Sequence, residues 1–182
     1  MTNPRPINCV ADEARRILAG QTTQLRRYND HWFNYAKPGD LFWLREPHRF
    51  LLQYDHLAPS VINNIFAAGP PLHFDADGPQ IEPFGKTRFA RNLLRTLSRA
   101  VLKIKTIKTV PLQDWAPCDV AALGQDRSEY ARDWNANRRN VNNFGVSPHA
   151  RAAFWSDNPT VRVINFELIR TNIDQLLIED AA

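Results

Sequence analysis

The chain has 182 residues, 43% hydrophobic and 23% charged, with a formal net charge of +4 and a pI near 9.3. That length supports one domain with a core of its own and no need of metal or disulfide staples, and the composition is too apolar for a disordered chain and too mixed for a membrane one. No apolar run approaches the ~20 residues of a membrane span, and the N-terminus lacks the apolar core of a signal peptide. The expected compartment is therefore cytoplasmic, with Cys9 and Cys118 reduced.

A first helix is predicted over residues 10–19. Val10, Ala14, Ile17 and Leu18 recur at helical spacing, Asp12 and Glu13 open it, Arg15 and Arg16 close it, and Gly20 follows as a C-terminal cap. The run Gln21, Thr22, Thr23, Gln24, Leu25, Arg26, Arg27 is polar and then basic, which suits an exposed strand or turn. Lys37-Pro38-Gly39-Asp40 is a tight-turn signal that opens a strand over 41–46. Residues 50–92 hold Pro59, Pro70, Pro71, Pro79 and Pro83. They predict a long surface excursion, the place for a lid or specificity loop, with a short helix near 59–68. A strand over 98–110 places Lys103 and Lys105 on one face. Helices follow over 119–123 and 128–137, a strong strand over 160–169, and after Asn172 a tail that is a short helix or frayed. A helix followed by mixed strands predicts an α+β fold with a small barrel.

Five segments in order carry a family resemblance. They are Ile17-Leu18-Ala19-Gly20-Gln21-Thr22-Thr23-Gln24-Leu25-Arg26-Arg27, Lys37-Pro38-Gly39-Asp40-Leu41-Phe42-Trp43-Leu44-Arg45-Glu46, Phe74-Asp75-Ala76-Asp77-Gly78, Arg95-Thr96-Leu97-Ser98-Arg99, and Trp155-Ser156-Asp157-Asn158-Pro159 leading into Val161. Together, over about residues 7–168, they resemble the ASCH family in its phage and prophage form. The resemblance implies a PUA-like barrel with flanking helices, a single domain over 1–182, and a ligand cleft between the first helix and the barrel. It also implies RNA, single-stranded nucleic acid or a nucleotide as partner. Some relatives are amidohydrolases acting on acetylated cytidine, with a catalytic Lys, Thr and Glu. Here those positions carry Thr22, Leu25 and, after Pro117, a residue near Leu123, so that activity is not expected.

The binding candidates are Thr22, Thr23, Arg26, Arg27, Trp43, Arg45, Glu46, Arg95, Arg99, Lys103 and Lys105. Arginines can grip phosphate by bidentate bonds, Trp43 can stack a base or fill the core, and the run from Arg91 to Lys108 is the densest positive stretch. A hydrolase reading would use Glu46 or Asp40 with Thr22 or Thr23. A third reading, a phage protein that inhibits a host enzyme, would use residues 50–92 as its contact surface. His31, His48, His56, His73 and His149 show no metal-ligand spacing, so no metal or cofactor is expected.

Overall fold

The computed structural model describes residues 4–28, 35–66, 69–79, 82–143 and 153–179; His31 and His149 lie outside them. The chain is mixed α and β, and its larger sheet has five strands in the order β1-β3-β6-β7-β2. These are β1 (Arg5–Asn8), β2 (Gln24–Tyr28), β3 (Leu41–Arg45), β6 (Val101–Pro111) and β7 (Thr160–Ile169). A second sheet pairs β4 (His48–Phe50) with β5 (Leu72–Phe74). Among the described residues β1 pairs only with β3 and β2 only with β7, so the larger sheet is open and the expected closed barrel is not formed.

Two compact units divide these elements: residues 1–20, 39–103 and 167–182 form one, and residues 21–38 and 104–166 the other. In the first, β1 runs parallel to β3, and β3 runs antiparallel to the start of β6 with Phe42 opposite Leu102. The amide of Cys9 donates to the carbonyl of Arg45 at 2.9 Å. By strand alternation the nitrogens of positions 6 and 8 therefore face away from β3, which is how Pro6 fits this edge strand. Helix α1 (Ala11–Leu18) buries Ala14 and Ile17. Gly20, at φ +74°, ends it as expected, in a conformation a side chain resists. Arg15 pairs with Asp12 and also donates from Nε to the carbonyl of Ala76 at 2.9 Å. Trp43, Val101 and Ile173 form one core cluster, with Ile169 and the α5 (Ile173–Glu179) residues Leu176 and Leu177 against it.

Residues 50–92 are not a surface loop. They hold β5, helix α2 (Pro59–Ile65) and several 3-10 turns, and they bury Phe50, Ile62, Phe74 and Ala76. Of the prolines that suggested irregular chain, Pro59 opens the first turn of α2, where no amide donor is lost, Pro70 and Pro71 precede β5, and Pro79 and Pro83 sit at a bend and a turn. Each fully buried side chain of this size contributes ~1.5–3 kcal/mol, so the segment is part of the core.

In the second unit β2 runs antiparallel to β7, with Gln24 opposite Asn165 and Tyr28 opposite Val161. Helices α3 (Pro117–Leu123) and α4 (Arg127–Asn143) belong to the same unit. Leu112, Trp134, Val161 and Val163 make its core cluster, with Val110, Tyr130 and Trp155 packed on it.

Candidate functional site

The helix exit does not lie open. Thr22, Gln24, Leu25 and Arg26 are all buried, Arg26 at 1% exposure. Helix α3 is docked on this stretch. The Thr23 amide donates to the carbonyl of Ala122 at 2.8 Å, and the Thr22 hydroxyl donates to that of Leu123 at 2.9 Å. Gly124 allows this approach: its φ is +64°, and a Cβ there would meet the Gln21 carbonyl oxygen at 2.6 Å.

A directed polar network lies beneath. Arg26 donates from Nη2 to Asp119 Oδ2 at 2.7 Å, and from Nη1 to the carbonyls of Leu112 and Asp114. Gln24 Nε2 donates to Asp119 Oδ1 at 2.8 Å and to Asn165 Oδ1 at 3.0 Å. The Ala116 amide donates to Asp119 Oδ2 at 2.7 Å, which also caps α3. Asn165 Nδ2 passes the chain to the hydroxyl of Thr106 on β6 at 2.8 Å, and Thr106 is exposed. The Arg26 guanidinium lies over the Trp115 ring, 4.9 Å from its centre.

The electrostatics follow from burial and pairing. Burial by itself pushes the Asp119 carboxyl up. The hydrogen bonds from Gln24 and Ala116, with the charges of Arg26 and Lys108, outweigh it and hold that carboxyl below the usual range. Burial lowers Arg26, and Asp119 only partly restores it. Arg26 was expected on phosphate. Its two terminal nitrogens are instead committed to Asp119 and two carbonyls, in a fully buried ion pair whose carboxylate partner the sequence does not reveal. The carboxylate that faces β2 is Asp119; position 123 contributes only a carbonyl. Arg27 is half-buried and sits opposite Arg162. Asn135, on α4, accepts from the Trp155 amide at 2.8 Å, and Trp134 is a core anchor.

The first unit places its candidates differently. Trp43 is buried, with the Arg45 guanidinium 4.5 Å from its ring centre, so it fills the core and stacks no base. Glu46 is fully buried, and Arg99 grips it with two bonds of 2.8 Å. Burial raises the Glu46 carboxyl, and its bonds to Arg99 only partly offset this. Burial would lower Arg99, but Glu46 and Asp77 together hold it above the ordinary arginine range. Arg99 also lies over Phe74, 4.0 Å from the ring centre. Arg95 pairs with Asp174 at 2.8 Å. Both Glu46 oxygens thus accept from Arg99, and the Thr22 hydroxyl donates to a backbone carbonyl. Thr23 bonds through its backbone, its amide donating to the Ala122 carbonyl at 2.8 Å and its carbonyl accepting from the Phe166 amide at 3.0 Å, and Asp40 is half-buried just ahead of β3.

The basic strand remains. Val101, Leu102 and Ile104 are buried while Lys103 and Lys105 are exposed, as alternation required, and Lys108 further along β6 is exposed too. Neither Lys103 nor Lys108 has an ion pair among the described residues. A separate pocket of about 460 Å³ in the first unit is lined by Arg49, Leu52 and residues 82–86. Residues 22–27 do not line this pocket.

Comparison with protein-family models, curated proteins and solved structures gives no match.

Proposed function

We propose that this protein is an ASCH-like, PUA-related binding module that takes single-stranded nucleic acid, RNA before DNA, or a nucleotide, with phosphate contacts on β6. The exposure of Lys103, Lys105 and Lys108 along one strand carries this reading. Arg26, Arg45, Arg95 and Arg99 are engaged by side chains of the protein itself, so Lys103 and Lys108 are the better phosphate ligands. In the second unit Thr106 is exposed at the outer end of the Gln24–Asn165 ladder and adds a polar group. Tyr28, 38% exposed on β2 of that unit, supplies a ring for base stacking in place of Trp43.

The test is a titration against single-stranded RNA, single-stranded DNA and duplex DNA at several salt concentrations. Binding should be tightest for RNA and fall steeply with salt. Salt-insensitive binding, or none at all, removes the proposal.

A further inference from the structure

In the first unit, β4 has a second neighbour beyond β5. Residues 83–88 run along its other side. The Gly85 amide donates to the carbonyl of Phe50 at 2.9 Å, that of Leu52 to Pro83 at 2.9 Å, and that of Arg88 to His48 at 2.7 Å. His48, Phe50 and Phe74 point inward from this small three-stranded surface and are buried. Arg49 points to the opposite face, together with its cross-strand partner His73. The His73 ring lies 5.4 Å from that of Phe84. The 460 Å³ pocket opens beside Phe84.

We propose that this pocket binds a planar aromatic ligand bearing a single anionic group. It lies apart from the nucleic-acid reading and does not rest on it. The volume falls within the ~300–1,000 Å³ of small-ligand sites. Its apolar floor is Leu52, Pro83 and Phe84, and Leu52 is left 65% exposed, so a flat ring laid there covers apolar surface now in water.

Two cations meet the anionic group. Arg49 is held in place by Asp75 at 2.7 Å and by the carbonyl of Gly85 at 2.9 Å, so little freedom remains to be lost on binding. Lys86 is exposed and has no ion pair among the described residues. The wall that carries Lys86 is fixed. Its amide donates to Asp55 Oδ2 at 2.9 Å, and a Cβ on Gly85 would come within 2.3 Å of that carboxylate, so only glycine permits the approach. Arg49 and Lys86 are balanced by Asp75 and Glu82, so the lining carries no net charge and suits a single negative charge held by directed donors rather than several charges.

The test uses indole-3-acetate and cyclic AMP as two monoanionic aromatics, with indole-3-acetamide and acetate as controls for charge and ring. Saturable one-to-one binding of at least one monoanion is expected, with the amide shift of Gly85 or Lys86 moving in NMR spectra. Which of the two binds tells whether the natural source is an aryl acid or a nucleotide. The controls should bind roughly tenfold more weakly or worse. Leu52→Asp and Lys86→Ala, both at exposed side chains, should each weaken binding by roughly three- to tenfold with an unchanged unfolding midpoint. The pair Lys105→Glu with Lys108→Glu should leave it unchanged. No saturable binding of either monoanion overturns the proposal. So does acetate binding as well as the aromatic anions, or binding that survives both pocket variants, or loss of binding in the β6 pair.

Discussion

Asp119 is the residue on which the second unit turns. It accepts from Gln24, Arg26 and the Ala116 amide while almost wholly out of water. Removing one partner of such a pair leaves the other buried and uncompensated, at a cost of ~3–5 kcal/mol. Asp119→Asn should therefore destabilise the protein by about 3 kcal/mol in urea unfolding. Its pH signature has a definite sign. The folded carboxyl is held low, so its contribution is complete above the ordinary Asp range and is lost as pH falls through the folded value. The wild-type acid limb should be steeper than that of the Asn variant. Glu46 has the opposite sign: its folded carboxyl is raised, so what it contributes is largest when protonated and declines as pH rises through the folded value. Little of this was legible in the sequence. Gln24 and Arg26 are polar residues at strand positions, and the simplest reading of polar is exposed. Their partner lies more than ninety residues away, beyond any local pattern.

At the scale of elements, length decided what could be read. Helix α1 and the long strands β6 and β7 carry enough periodicity to be placed to within a few residues. β1 has four residues and includes Pro6, and β4 and β5 have three each, so no pattern rises above chance there. On β6 the alternation itself makes a prediction. Lys103→Glu with Lys105→Glu should weaken binding to all sequences about equally, because phosphate contacts carry no base information. The log–log salt slope, about −0.7 per contact on single strands, should become shallower by roughly one to two contacts. Fluorescence anisotropy across a salt series measures both, and an unchanged slope in the folded variant would move the interface off β6.

For the whole molecule, the segment 50–92 changes character between sequence and structure. A lid would tolerate substitution, whereas a core segment would not. Ile62, on α2, is fully buried. Ile62→Ala should cost ~2–5 kcal/mol by the loss of buried methyls and the cavity left behind. A residue on a mobile surface loop would cost ~0.5 kcal/mol or less. Calorimetric or urea unfolding separates these outcomes. The open sheet was equally hidden in the sequence, because closure depends on which strands meet at the edges, and the hydrophobic pattern of β1 and β2 does not encode that.

An open sheet has edges, and an edge is a template on which another chain can add a strand. β1 meets that hazard in its own sequence. Of its two outward-facing nitrogens, at positions 6 and 8, the first belongs to Pro6 and carries no hydrogen, and Arg5 stands beside it. Pro6→Val would restore the missing donor on a β-branched residue at the same edge, with the contacts to β3 left as they are. The monomer should keep its unfolding midpoint yet scatter light sooner on concentration, which dynamic light scattering would register. Pro6 thus withholds one rung of the ladder from any strand that would add to β1.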